Sequence, residues 1–542
     1  MDKIERFLTR YEPIILLLLL AAILVVNCQG LSWGLPGRWN PDELVGVVNL
    51  ALDGLEQFDL TNFDYPSLPK YFMLFIGQVT DSLGYPRATF FVVSRFFSAF
   101  LGAMTAWLAY ALARQVGARR WSALLAALLM ATSSEIALNS HFAHNDMYVT
   151  YFAGLTLFLA LKYMNTGRKF WLYLAFFSAG LTASSKYNGG IIVLTAVLAY
   201  ILVEGRQVYR DSLRSFETLF VGAGVSILGY GIGTHTALTS FSFYIKRLMP
   251  ALWRHANYNR TPSSQPGLLR QWGVMESAFG DMAYALFIIS LVAALILGVL
   301  WLLKRMPFER KRVYQLVLVV AAVVALDLPI LGSYNVQRRF FLPLLAPLAV
   351  VSSVMLDGFV DWLRKRGWNK LTPLVMAVIV VILVSSDLRV ASVNLSIMND
   401  ARTTAGAFIL TLPPGASYEY TNYTPNFDET RYKNILGYPL IFLKFPEDVL
   451  PEDSRFEYNS GEAGIEERKP DYLVISSLVY DRFDDDYICQ VHQADCDFFK
   501  RLMAGETNYT LIGDFAYRLP EYLPDIRITF INPDIKIYQR KP

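Results

Sequence analysis

The strongest constraint on this chain is a repeated alternation. Apolar runs of about 20 residues, enough to cross roughly 30 Å of hydrocarbon, are separated by connections of which every second one is basic. About eleven such runs can be read by hydropathy, near 13–32, 88–113, 121–138, 147–164, 171–185, 188–203, 216–234, 283–303, 314–331, 340–356 and 371–388. The basic connections hold Lys3, Arg6 and Arg10; Arg114, Arg119 and Arg120; Lys162, Arg168 and Lys169; Arg206, Arg210 and Arg214; Lys304 to Arg312; and Arg364 to Lys370. Basic loops stay cytoplasmic, so the N-terminus is expected inside. The expected fold class is a polytopic α-helical membrane protein of the plasma membrane. The first run is read as a retained helix, because Asn27-Cys28-Gln29-Gly30 is a poor cleavage site for a leader.

Composition agrees: 54% of the 542 residues are hydrophobic and only 18% charged, too apolar for a soluble chain of this size. A net charge of +3 spread over short clusters gives no support to nucleic-acid binding. The polar tail, 389–542, is long enough for a domain of its own. Its "DYLVISSLVY" (471–480) and "IRITFINPDIKIYQR" (526–540) read as strands. A transmembrane module, 1–388, followed by a small extracytoplasmic α/β domain, 389–542, is therefore expected. Cys489 and Cys496, with six residues between them, can pair if the tail meets an oxidising compartment.

The connections expected outside are 33–87, 139–146, 186–187, 235–282 and 332–339. The first is not a plain linker. Apolar residues recur at helical spacing over 41–58, and "LPKYFMLFIGQVTDSL" (68–83) is amphipathic. Both segments are too polar to span and are expected to lie flat on the membrane. In "RWNPDELVG" (38–46), Asn40 reads as an N-cap, Pro41 as the first helical residue, and Glu43 as the residue that reaches back to the cap. Asp42 is left over from that closure.

Most of the notable polar residues fall on the same expected side: Asp42, Glu43, Asp64 and Lys70; His141, His144, Asn145 and Asp146; Lys186 and Asn188; Arg338 and Arg339. Carboxylates and cations gathered at one cavity suit a phosphate leaving group and a base for an incoming nucleophile. Structural alternatives accompany each. Arg338 and Arg339 suit interfacial anchors, Asp146 suits a helix cap, and Lys70 and Asp64 suit surface roles. His141, His144 and Asp146 are close together but match no strong zinc spacing.

The order of these motifs resembles the GT-C class of membrane glycosyltransferases that use polyprenyl-phosphate sugars. Within it, the chain is most similar to the protein O-mannosyltransferase and lipid A aminoarabinose-transferase group. The resemblance rests on "NPDE" (40–43), "DYPSLPKYF" (64–72), "HNDMYVTYF" (144–152), "SKYNGG" (185–190) and "RRFFLPLLAP" (338–347), and covers roughly 1–390. It implies transfer from a lipid-linked donor to an acceptor hydroxyl on a protein, lipid or glycan at the outer face, with inversion. Catalysis would fall to Asp42 as base, with Glu43 and Asp146 beside it. Lys70, Lys186, Arg338 and Arg339 would hold the donor phosphate, and His144, Asn145 and Asn188 would line the acceptor cavity. A divalent cation, held by Asp42 and Asp146, is a second way to compensate the leaving phosphate. The "WWDYG"-type motif of oligosaccharyltransferases is missing from the chain, which argues against transfer of a whole oligosaccharide to asparagine. A glycan ligase and a glycolipid transporter are the rival classes. A transporter would place its charges inside spans near the midplane, whereas these gather at one face.

Overall fold

The computed structural model describes residues 2–257, 265–306, 308–427, 435–437, 461–526, 528 and 530–542. It divides into two compact units. The first comprises Met1–Leu31 and Asp42–Ala391, the second Ser32–Pro41 and Ser392–Pro542.

The first unit is helical throughout. In hydrocarbon no water is available for backbone N–H and C=O groups, and a helix satisfies them internally. In chain order the helices are α1 (Asp2–Asn27), α2 (Val45–Leu52), α3 (Phe58–Thr61), α4 (Leu68–Ser82), α5 (Arg87–Gln115), α6 (Arg120–Ala131), α7 (Ser134–Ser140), α8 (Asp146–Thr166), α9 (Lys169–Ser185), α10 (Val193–Glu204), α11 (Gln207–Arg210), α12 (Ser212–Gly233), α13 (Thr236–Thr239), α14 (Phe241–Asn257), α15 (Gly267–Phe279), α16 (Asp281–Leu302), α17 (Arg310–Leu331), α18 (Leu342–Lys365) and α19 (Thr372–Met398). Among the described residues, nine helical segments are long and apolar enough to cross a membrane, and the pair α6–α7, bent by 56°, makes a tenth. Helix α9, expected as a span, has 17 residues, at the short end of what crosses a bilayer. Helices α13, α14 and α15 occupy a stretch read from sequence only as a connection.

Small residues let α9 and α12 pack at backbone distance. A Cβ built at Gly180 would stand 2.0 Å from the Ser226 carbonyl oxygen, and one at Gly229 2.3 Å from that of Phe177.

The first connection departs from the expected helix start. Helix α2 begins at Val45, with Leu44 in the N-cap position, not at Pro41. The backbone of Leu44 donates to the Ala143 carbonyl at 2.9 Å. The Glu43 carboxylate accepts from the Ala143 N–H at 2.9 Å and from Arg95 of α5 at 2.8 Å through both Nε and Nη2. The segment is thus tied to other elements, and Glu43 precedes the helix instead of standing at its third position as expected. Helix α4 begins at the expected residue.

The second unit continues with α20 (Ala401–Ile409), β1 (Tyr418–Tyr420), β2 (Ile435–Gly437), α21 (Gly461–Arg468), β3 (Tyr472–Ser476), α22 (Ser477–Tyr480), α23 (Asp486–Val491), α24 (Gln493–Ala504), β4 (Tyr509–Phe515) and β5 (Ile535–Arg540). The sheet order is β2-β1-β3-β5-β4, with β1, β2 and β3 parallel and β5 antiparallel to both neighbours. Strand β3 is buried on both faces, and its side chains alternate between two cores as strand geometry requires. Leu473 and Ile475 join Phe498, Phe499 and Leu502, while Tyr472 and Val474 join Ile409, Ile535 and Ile537. The expected strand 471–480 gives way to helix at Ser477, where the Ser476 hydroxyl accepts from the Leu478 N–H. Of the strand expected over 526–540, Ile535–Arg540 is extended; 527 and 529 lie outside the described residues. Cys489 and Cys496 form a disulfide, with Cα atoms 5.3 Å apart. The segment 32–41 is held to this unit through Arg402, whose guanidinium lies 4.3 Å from the Trp39 ring and is paired with Asp400 at 2.7 Å.

Candidate active site

A cluster of charges is built where four connections of the helical unit meet. Asp146 opens α8 and is 1% exposed. Its Oδ1 accepts from Lys186 Nζ at 2.6 Å, and its Oδ2 lies 2.6 Å from His144 Nδ1. Lys186 reaches it because the chain is extended there (φ −153°, ψ 128°), which ends α9 before the 3-10 turn Tyr187–Ile192. Gly189 of that turn packs directly on α8, since a Cβ would meet Val149 at 2.4 Å. Lys186 Nζ also stands 4.5 Å from the Phe340 ring centroid. Burial pushes the Lys186 ammonium below its ordinary value, and Asp146 opposes that effect.

Arg339, on the 3-10 turn Arg338–Phe341, bridges the two carboxylates. Its Nη2 donates to Asp42 Oδ2 at 2.9 Å, and its Nε lies 3.9 Å from Asp146 Oδ2. Asp42 is the more accessible of the two acids, with a third of its side chain exposed (33%). A narrow cleft is lined by Asp146, Lys186, Asn188, Gly189, Arg339, Phe340 and Pro343 among others. Tyr65 flanks the cluster. Its ring meets His144 edge-on at 5.1 Å and His255 at 5.6 Å. Burial raises its phenol well above the ordinary value, and the charges of Arg339, Asp42, Asp146 and Asp64 all act on it.

Other sequence candidates are placed differently. Glu43 pairs with Arg95, with neither side chain exposed, and also accepts from the Ala143 N–H. Lys70 is buried in α4, where its Nζ donates to the Asn62 carbonyl at 3.0 Å and lies 5.5 Å from the Phe58 ring, so it fastens the surface segment. Arg338 pairs with Glu135 of α7 at 2.5 Å. His141 holds backbone carbonyls with both ring nitrogens, Ala137 at 2.7 Å and Gln29 at 2.6 Å. Asn145 donates to the Ser185 carbonyl at 3.1 Å. Asp64 pairs with Arg254 of α14. The sequence pattern missed Tyr65, His255, Phe340 and Arg95. Only Arg95 carried a signal, as a charge inside an apolar run.

A divalent cation does not fit this donor set. Both Asp146 oxygens already accept from cationic or N–H partners, and Arg339 stands between the two acids. No group of three or more His, Cys, Asp or Glu side chains placed to hold a metal occurs among the described residues. The cluster sets two cations, Arg339 and Lys186, beside a carboxylate that is one-third exposed, an arrangement chemically suited to an anion.

The described residues form a multi-span helical membrane protein with a small C-terminal sheet, and the fold is that of the GT-C class. Comparison with known proteins agrees. Residues 67–231 match the family model described as dolichyl-phosphate-mannose-protein mannosyltransferase. Dolichyl-phosphate-mannose–protein mannosyltransferase 1 of Saccharomyces cerevisiae is 25% identical over 266 residues, 45% of this chain and 31% of that protein. An uncharacterized protein of Aquifex aeolicus is 30% identical over 109 residues, 20% of this chain and 22% of that one. These matches thus span about a quarter to a third of the relatives' own length. Among solved structures, ArnT from Cupriavidus metallidurans in the apo state aligns with a TM-score of 0.51 at 12% identity, over 96% of this chain and 97% of that one. The archaeal oligosaccharyltransferase AglB from Archaeoglobus fulgidus, in complex with an inhibitory peptide and a dolichol-phosphate, aligns with a TM-score of 0.50 at 12% identity, over 96% and 75%.

Proposed function

We propose that this protein transfers a sugar from a polyprenyl-phosphate donor to an acceptor hydroxyl at the outer face of the plasma membrane, with inversion and with its N-terminus cytoplasmic. The observation that carries this reading is Arg339, which holds Asp42 and Asp146 together beside Lys186. Arg339 and Lys186 neutralise the phosphate as it leaves. Asp42 takes the proton of the attacking hydroxyl. Asp146 keeps Lys186 and His144 in place. An apolar groove between α4 and α5, lined by Phe75, Ile76, Val79, Leu83 and Val93, suits the prenyl chain. The mannosyltransferase match over 67–231 favours a hexose, and the acceptor class is a protein, lipid or glycan.

The test is transfer by purified protein in proteoliposomes supplied with labelled polyprenyl-phosphate mannose and a panel of hydroxyl acceptors. Label is expected to move from the lipid to one acceptor class. Label that stays on the lipid with every acceptor and every donor sugar tried sinks the proposal.

A further inference from the structure

His144 is 3% exposed, and its Nε2 has no hydrogen-bond partner among the described residues. A buried polar atom without a partner is destabilising, so an orphan of this kind beside a charge cluster points to a ligand. The ring's other nitrogen fixes its chemistry. Nδ1 lies 2.6 Å from Asp146 Oδ2, and a carboxylate only accepts, so the proton sits on Nδ1. A neutral ring protonated on Nδ1 presents the Nε2 lone pair, an acceptor for a hydroxyl. Tyr65 stands against the ring at 5.1 Å, and the charges of Asp42, Asp146 and Arg339 reach its phenol, so this corner adjoins the proposed base.

We infer that His144 Nε2 receives a hydrogen bond from a substrate hydroxyl, that Tyr65 walls the carbon face of the same group, and that Asp146 is a positioning residue acting through His144. The inference rests on the transferase reading. The hydroxyl belongs to the donor's sugar ring or to the acceptor, and the experiment separates the two.

His144→Asn keeps an amide N–H where Nδ1 stood and removes the Nε2 acceptor. In the proteoliposome assay, donor and acceptor are varied separately, and mannosyl donors lacking single hydroxyls are included. H144N is expected to lose about 3- to 10-fold in kcat/KM, the worth of one neutral hydrogen bond. If a sugar hydroxyl is the partner, the matching deoxy donor shows that loss with wild type and none further with H144N. If the acceptor hydroxyl is the partner, the loss falls on acceptor kcat/KM, and each deoxy donor is penalised equally in both proteins. His144→Gln, which returns an amide near the Nε2 position, should recover part of the loss. Unchanged constants for both substrates in H144N overturn the inference while the transferase reading stands. Equal losses in H144N and H144Q with lowered melting temperatures reduce His144 to a packing role and overturn it too. A wild-type protein that transfers nothing overturns both.

Discussion

Glu43 and Arg95 form a two-pronged ion pair with neither side chain exposed, Oε1 to Nε and Oε2 to Nη2 each at 2.8 Å. Removing one partner strands the other charge in the helical core. Glu43→Ala and Arg95→Ala are each expected to cost about 3–5 kcal/mol, read as a lowered melting temperature in detergent. The double replacement by methionine should recover most of that cost. Full additivity of the two single losses would show that they do not act as a pair.

Asp42 is the accessible carboxylate, held by Arg339 at 2.9 Å. Asp42→Asn preserves shape and a hydrogen-bonding oxygen but removes the basic charge. Transfer should fall by roughly 10²- to 10⁴-fold while the donor lipid still binds. Turnover at the wild-type rate would move the base elsewhere.

Lys186 offers the shortest cation contact to Asp146, at 2.6 Å. Lys186→Met removes a charge-assisted bond of about 1.5–3 kcal/mol, so donor affinity should drop by roughly tenfold or more, measured by titration with the lipid phosphate. A variant that binds the donor as tightly as wild type would restrict Lys186 to holding α8.

Asp495, at the start of α24, is pushed up to about 6 from an ordinary 3.8 by burial, with His492 acting weakly against it. The sign follows from proton counts. Between those two values the folded chain keeps a proton that the unfolded chain has lost, so stability falls as pH rises through the window and stays lower above it. Asp495→Asn should flatten that slope and raise the melting temperature at neutral pH. A wild-type melting temperature that climbs from pH 4 to pH 6, matched by the variant, would contradict the assignment.

Much of this architecture was legible because its causes are local. Runs of apolar residues fix the spans, and the Lys186 break and the start of α4 fall where their residues place them. The pairings were not legible, because they join residues far apart in the chain. Adjacent arginines on one turn divide their work, Arg338 toward Glu135 and Arg339 toward the two aspartates, and no spacing rule separates them. Lys70 and Lys186 both fall in expected outer connections, yet one fastens a surface helix and the other joins the cluster. The start of α2 was misplaced because a distant arginine outbids the helix's own first turn for Glu43. Tyr65, a single aromatic in a loop, gave no periodic signal at all.

The grip of Arg339 on Asp42 has a consequence for sequence of events. Arg339 holds Asp42 through one nitrogen and approaches Asp146 through another. An incoming phosphate competes for the same guanidinium and draws it off. On the proposed transfer reading, lipid phosphate and Asp42 share one guanidinium, so ordered binding is expected, lipid first and hydroxyl second. Initial-rate kinetics with both substrates varied check it, and random-order kinetics would remove the coupling.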